Sequence, residues 1–508
     1  VPVYLGMIWG SIFSYYYGRL KFRLPREFPY PALVSFGKPI LRENVSAFEL
    51  RQAVSELGAD AEQTPRKEER TLHYQLAKHA SRHPFRVMVQ DYDGKSLTAF
   101  QLLVASIVLS REIRKMVPDS VKYVGVMLPN TVASSLSVTA VLMADKVPSP
   151  LNFTVSAETL DCSIRKAGIT LILTSRKFLQ KIHREPVPQM VFLEDVAARI
   201  PKKNKLFWAV LTAILPHQEL MNLVSPVTHR NVFGTAVLLF SSGSTGEPKG
   251  VLLSHRNING DIYSFMRVMG WTRRDKILGN LPLFHSFGFT TGYWMPLAIA
   301  CKVVYVVSPL DAATVGNAIE KYGLTIFLAT PTFMQAYMKR CRAEQFKSVR
   351  LAIVGAEKLR RDIAERFAGV TDNRIALVEG YGCTELSPIV SINIGSSILE
   401  LGKVIGKAGS IGAPMPGICV KIVDPVTGVE LPPDTDGLML VKGPNVMQGY
   451  LEDPAQTARV IENGWYDTGD IARMDIDGYI TISGRLSRFS KIAGEMVPHE
   501  MLECVLNE

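Results

Sequence analysis

A chain of 508 residues is too long for one ordinary hydrophobic core, so two or more domains are expected. Its 47% hydrophobic and 20% charged residues exclude a disordered chain, and six scattered cysteines without a Cys-x-x-Cys pair argue against a zinc site or disulfide scaffold and fit a reducing compartment. The formal net charge of +10 raises the question of nucleic acid, yet the Lys and Arg residues are mostly scattered and no helix-turn-helix or RNA-binding signature accompanies them.

Residues 1–45 are aromatic and punctuated by proline, and 32–36 read as a strand before Gly37-Lys38-Pro39. No uninterrupted apolar run reaches the roughly 20 residues of a spanning helix. Residues 1–18 also lack the charged start and cleavage signal of a secretory leader. Leu50, Val54 and Leu57 have helical spacing and predict a helix over 47–57. Residues 58–70, with Pro65 and dense charge, read as a linker. From about residue 71, helical stretches alternate with short apolar strands at 121–128, 171–174, 237–240, 303–307, 325–329 and 351–354. That alternation predicts an α/β layered fold with mainly parallel sheets. Beyond about residue 411, frequent Gly and Pro cut the chain into short strands such as 419–423 and 438–441, predicting a smaller β-rich subdomain.

Between residues 165 and 205 base is in local excess. Ten bases (Arg165, Lys166, Arg176, Lys177, Lys181, Arg184, Arg199, Lys202, Lys203, Lys205) face three acids (Glu185, Glu194, Asp195), and Leu206-Phe207-Trp208-Ala209-Val210-Leu211 follows directly. A basic stretch ahead of an aromatic-apolar segment suits contact with a membrane surface. A solvated face followed by a core helix suits it too, and is the commoner outcome.

The segment Ser241-Ser242-Gly243-Ser244-Thr245-Gly246-Glu247-Pro248-Lys249-Gly250 follows a strand read over 236–240. Its glycines let the backbone approach an anion, and successive N–H groups can nest phosphate oxygens. The hydroxyls add donors and Lys249 adds positive charge. Neither the Walker A spacing nor a dinucleotide fingerprint fits. Gly/Ser-rich sequence is often a flexible linker, but a linker does not usually abut a buried strand and end in Pro-Lys-Gly. Throughout its length the segment resembles the nucleotide loop of the adenylate-forming superfamily, which includes acyl-CoA synthetases, luciferases and peptide-synthetase adenylation domains. The resemblance implies an α/β N-terminal domain of two sheet-and-helix subdomains plus a small β-rich one. It also implies ATP with Mg²⁺, with Ser241, Ser242, Gly243, Ser244, Thr245, Gly246 and Lys249 around the phosphates.

Further motifs follow in the family's order. Pro282-Leu283-Phe284-His285-Ser286-Phe287-Gly288 resembles the segment bordering the carboxylate pocket, which implies an acyl-site role for His285; a lone His is otherwise more often structural. Gly355-Ala356-Glu357 follows the strand over 351–354, where the family lays backbone against adenine. Gly380-Tyr381-Gly382-Cys383-Thr384-Glu385 resembles the next hallmark: Tyr381 would stack on adenine, Thr384 reach the α-phosphate and Glu385 hold Mg²⁺. The residue types suit the chemistry, because attack on the α-phosphorus builds negative charge that fixed donors and a hard cation stabilise. Trp465-Tyr466-Asp467-Thr468-Gly469-Asp470 resembles the segment whose last Asp accepts both ribose hydroxyls, and Gly484-Arg485 the element whose Arg closes on ribose and phosphate. Each alone would be commonplace; together and in order they are not.

A narrower resemblance rests on two segments. Ser490-Lys491-Ile492-Ala493-Gly494-Glu495-Met496-Val497 resembles long-chain acyl–acyl-carrier-protein synthetases, and Phe28-Pro29-Tyr30-Pro31-Ala32-Leu33-Val34-Ser35-Phe36-Gly37-Lys38-Pro39 resembles the last strand of a glycerolipid acyltransferase. Both parts occur in the bifunctional 2-acylglycerophosphoethanolamine acyltransferase/acyl-ACP synthetases. That resemblance implies a fatty acid substrate, acyl carrier protein (or CoA) as acceptor, no nucleic-acid partner, and a place at the cytoplasmic side of a bacterial inner membrane. Residues 1–45 would be an acyltransferase remnant and 46–74 a helix and linker. Residues 75–410 would form the α/β body, 411–484 the β-rich subdomain, and 485–508 the start of a C-terminal subdomain mostly outside the chain. No His precedes an Asp at the acyltransferase spacing His-x-x-x-x-Asp, so transfer to a lysolipid is not expected. The family's C-terminal lysine has no assignable position, and Ser487 stands where its hinge usually has Asp or Lys. Three alternatives stay open: a fatty acyl-CoA ligase, a peptide-synthetase domain, and a catalytically weak nucleotide-binding or membrane-docking fragment.

Overall fold

Strands that are apolar on both sides need cover on both sides, and helices provide it here. The computed structural model describes residues 1–6, 13–16, 19–22, 33–41, 45–66, 69–242, 247–394, 406–492 and 495–498. Among these, the largest sheet has nine strands, in the order Ala413–Pro414, Ile389–Ile392, Ala376–Gly382, Leu351–Val354, Ile326–Ala329, Lys276–Gly279, Lys302–Tyr305, Val87–Asp91 and Ser96–Thr98. Its interior pairs are parallel, while the pairs at its two edges are antiparallel. A second, wholly parallel sheet orders Met190–Phe192, Ile172–Thr174, Tyr123–Val126 and Val147–Pro150. These are the two sheet-and-helix subdomains of the adenylate-forming fold.

One continuous apolar core joins both sheets through residues such as Val89, Val124, Leu173, Ile277 and Tyr293. On the opposite face of the large sheet, Phe327, Tyr337, Phe346 and Phe367 form a second core with edge-to-face and tilted ring contacts. The β-rich subdomain is an antiparallel sheet of Cys419–Val423, Gly437–Lys442, Trp465–Met474, Ile461–Glu462 and Ile480–Arg485.

Near the N-terminus Val3–Gly6 pairs antiparallel with Leu33–Phe36, in the register Val3 to Phe36. The following helix, Ala47–Ala61, opens on a capping box of Ser46 and Glu49. It runs four residues beyond the 47–57 expected from apolar spacing. Gly58 allows this, since a Cβ there would lie 2.7 Å from the Tyr4 ring. The charged stretch after it is anchored: Glu69 pairs with Arg256 at 3.1 Å, and Glu62 with Arg267 at 2.5 Å.

Candidate active site

The expected phosphate loop is flanked by two paired strands. Strands Thr235–Ser242 and Pro248–Ser254 pair antiparallel, with Ser241 opposite Lys249 and Ser242 opposite Pro248. Gly243, Ser244, Thr245 and Gly246 lie outside the described residues. A third strand, Gly449–Tyr450, adds to the pair and brings Tyr450 opposite Val251. The Lys249 ammonium then lies 5.5 Å from the centre of the Tyr450 ring, a distance at which the cation is attracted by the ring face.

Tyr450 reaches the next motif as well. Its hydroxyl donates to Glu385 Oε1 at 3.1 Å, and the Glu385 carbonyl accepts from the Met447 N–H at 2.8 Å. Burial raises the Tyr450 pKa, so the hydroxyl stays protonated and remains a donor. Thr384 and Glu385 sit in a short 3-10 turn, Thr384–Leu386, where Ser286 Oγ donates to Thr384 Oγ1 at 3.4 Å. Close backbone packing holds that turn: a Cβ on Gly382 would lie 1.6 Å from the Pro388 carbonyl oxygen. Beneath it, the fully buried Asp261 accepts the Ile389 N–H at 3.2 Å, and burial raises its pKa well above the ordinary range.

The β-rich subdomain contributes Asp470 and Arg485, opposite each other on the strands Trp465–Met474 and Ile480–Arg485. Arg485 Nε lies 2.9 Å from Asp470 Oδ1, and its Nη1 donates to the Thr468 carbonyl at 2.9 Å. The Tyr381 hydroxyl donates to the other Asp470 oxygen, linking the large sheet to the small one. Burial raises the Asp470 pKa, against the pull of Arg485.

Of these groups Ser286, Tyr381, Gly382 and Thr384 line a cavity of about 650 Å³, within the usual range of small-molecule sites. Its lining includes Gly355, Ala356, Tyr381, Gly382 and Thr384 as well as Phe153, Phe178, Phe284, Leu310 and Phe333. His285 also lines the cavity, its ring 5.2 Å from that of Phe284. It is open to the cavity, yet the surrounding apolar walls desolvate it and lower its pKa.

Of the residues singled out from sequence, His285, Gly355, Ala356, Tyr381 and Thr384 line this cavity. Lys249 and Glu385 are tied together through Tyr450, and Asp470 and Arg485 join through Tyr381. Glu357 is directed elsewhere: its carboxylate accepts from the Thr332 hydroxyl at 2.6 Å and the Thr332 N–H at 3.3 Å. It serves the start of the helix Pro331–Arg340, and Gly355 and Ala356, not Glu357, line the cavity. Sequence reading missed Tyr450, Ser286 and Lys181, which also lines the cavity; none lies at a motif position whose chemistry demands its type.

A divalent ion fits the donors present. Among the described residues no group of three or more His, Cys, Asp or Glu could cage a metal. Mg²⁺ does not require one, since it commonly takes one or two carboxylates and completes its shell with water and phosphate oxygens. Glu385, close to the strands that flank the phosphate loop, is such a carboxylate.

Comparison with known proteins agrees with this arrangement. The long-chain-fatty-acid–CoA ligase of Bacillus subtilis is 27% identical over 442 residues, covering 82% of this chain and 77% of that protein. A feruloyl-CoA synthase of an Amycolatopsis species is 29% identical over 383 residues, covering 75% and 71%. Among solved structures, O-succinylbenzoate coenzyme A synthetase from Bacillus subtilis, in complex with ATP and magnesium ion, shares the fold with a TM-score of 0.70 at 22% identity, covering 86% of this chain and 84% of that one. Residues 76–451 match the model of the AMP-binding enzymes, for which ATP-dependent formation of an acyl adenylate is typical. With that match over most of its length, the chain belongs to the AMP-binding enzyme family, among relatives that are acid–thiol ligases.

Proposed function

We propose that the protein activates a long-chain fatty acid with ATP to acyl-AMP and passes the acyl group to the phosphopantetheine thiol of acyl carrier protein, for phospholipid acylation at the cytoplasmic side of a bacterial inner membrane. The observation that carries the substrate class is a cavity lined both by residues of the nucleotide motifs and by the phenyl rings of Phe153, Phe178, Phe284 and Phe333. The wording of residues 490–497 and 28–39 supports the carrier-protein acceptor, although residues 28–32 and 493–494 lie outside the described residues. The relatives' names favour a second reading, in which free CoA is the acceptor.

The chemistry follows from the residues. The fatty carboxylate attacks the α-phosphorus, an O–P bond forms, and the bond to pyrophosphate breaks. Thiol sulfur then attacks the acyl carbon and AMP leaves. Lys249 and Thr384 offer charge and a donor where negative charge collects on the α-phosphate. Asp470 offers two acceptors to the ribose hydroxyls. The apolar walls keep water from the mixed anhydride. Bound at Glu385, Mg²⁺ would neutralise phosphate charge.

The test is ATP binding together with ATP–pyrophosphate exchange, beside a Lys249→Ala/Glu385→Ala double variant. Exchange should rise with added palmitate, and the double variant should lose it by at least about a hundredfold. Exchange indifferent to fatty acid would overturn the substrate class. If CoA accepts the acyl group and acyl carrier protein does not, the second reading replaces the first.

A further inference from the structure

The helix Lys202–Ile214 contains no acidic residue. Its inward side is formed by Trp208, buried with the Arg111 guanidinium 5.1 Å from its ring, and by Leu211, which packs on the main core. Its outward side carries Leu206, Phe207, Val210 and Ile214, which are 67%, 57%, 47% and 71% exposed. At the helical turn per residue these four fall within one sector of about 100°. Lys202, Lys203 and Lys205 are exposed at the start of the same helix, and Arg199 just before it. Acids on the adjoining helices are already engaged: Asp195 by Arg176 at 2.7 Å, Glu194 by Ser175 at 2.8 Å, and Glu219 by Asn222 at 3.2 Å.

Scattered exposed apolar residues need no explanation, but a contiguous stripe of four large ones with lysines at its end does. We propose that this helix docks the protein on an anionic lipid surface. The stripe is convex, so it suits burial in the headgroup boundary, while the lysines reach lipid phosphates. Charge complementarity commits the occupant: base without acid on the helix suits an anionic partner. The inference goes beyond the proposed reaction and does not depend on it.

Flotation of the full chain with phosphatidylcholine vesicles, with and without phosphatidylglycerol, tests it at low and high salt. The wild type should float with the anionic vesicles and lose binding as salt rises. Leu206→Ser/Phe207→Ser/Ile214→Ser should weaken binding at least about tenfold, and Lys202→Glu/Lys203→Glu/Lys205→Glu at least as much. All six side chains are exposed, so the variants should keep wild-type circular dichroism and ATP binding. Wild type that ignores anionic vesicles overturns the proposal, as does an apolar-face variant that floats like wild type. Self-association through this face without vesicle binding would assign it to a second copy of the chain and overturn the lipid surface.

Discussion

Lys249 and Glu385 lie far apart in sequence and meet through one ring: Tyr450 faces the ammonium and hydrogen-bonds the carboxylate. A hydrogen bond to a charged group contributes about 1.5–3 kcal/mol. Tyr450→Phe keeps the ring and removes that bond, so ATP–pyrophosphate exchange should fall by about tenfold or more while the thermal midpoint changes little. Unchanged exchange would mean that Glu385 needs no such support. Tyr450 was not legible in the sequence because its role comes from strand pairing with Val251, which no local pattern encodes. Lys249, Thr384, Glu385 and Asp470 stood out in the sequence because the motifs that hold them resemble the family's, and the residue types suit the phosphate, metal and ribose roles proposed for them. Glu357 stood in a recognisable place, yet its carboxylate binds Thr332, a contact that depends on how the neighbouring helix starts.

At the scale of elements, charge density misled over residues 58–70. Charges usually mark a solvated linker, and their partners here, Arg256 and Arg267, come from the distant helix His255–Met269. The Arg256 and Glu69 side chains are only 4% and 1% exposed, and Asn259 also donates to Glu69 at 3.3 Å. Breaking a buried pair by removing one partner costs about 3–5 kcal/mol, because the other charge stays buried. Glu69→Ala should therefore lower the urea midpoint of the chain strongly. Arg361→Ala, which breaks an exposed pair with Glu365, should change it little. Equal effects would show that the stretch is a tether after all. The parallel strands of the body were easier to read, since apolar runs such as Leu351–Val354 declare themselves without reference to any partner.

Across the whole molecule, the packing of helix Leu72–Arg82 against its neighbours determines how stability responds to acid. Burial pushes the His73 imidazole down to about 3, with Asp145 opposing and His229 assisting; burial lowers His255 well below its ordinary value, with His73 adding to it. His255 Nδ1 also accepts the Leu72 N–H at 3.3 Å, which requires a neutral ring. Nothing in the sequence separates these two from the other seven of nine histidines, because burial is a property of the assembled layers. Both stay neutral in the native state, whereas in the unfolded chain each takes up a proton below pH about 6.5. Their contribution to stability is therefore complete above the unfolded pKa and is lost as pH falls towards the native one. For His73 the loss at pH 5 is about 2 kcal/mol. Asp91 acts in the opposite sense: burial raises its carboxyl to about 6, so its contribution is present at low pH and is lost as pH rises through that value. Asp261 and Asp470, whose carboxyls burial also raises, act in the same sense as Asp91, so the histidine contribution is read as the difference between wild type and a His73 variant. Denaturant titrations at pH 7.5 and 5 should show His73→Gln, even if less stable at pH 7.5, losing less stability on acidification than wild type. An equal loss in both would mean that protonation of other groups, and not of these buried rings, drives acid unfolding.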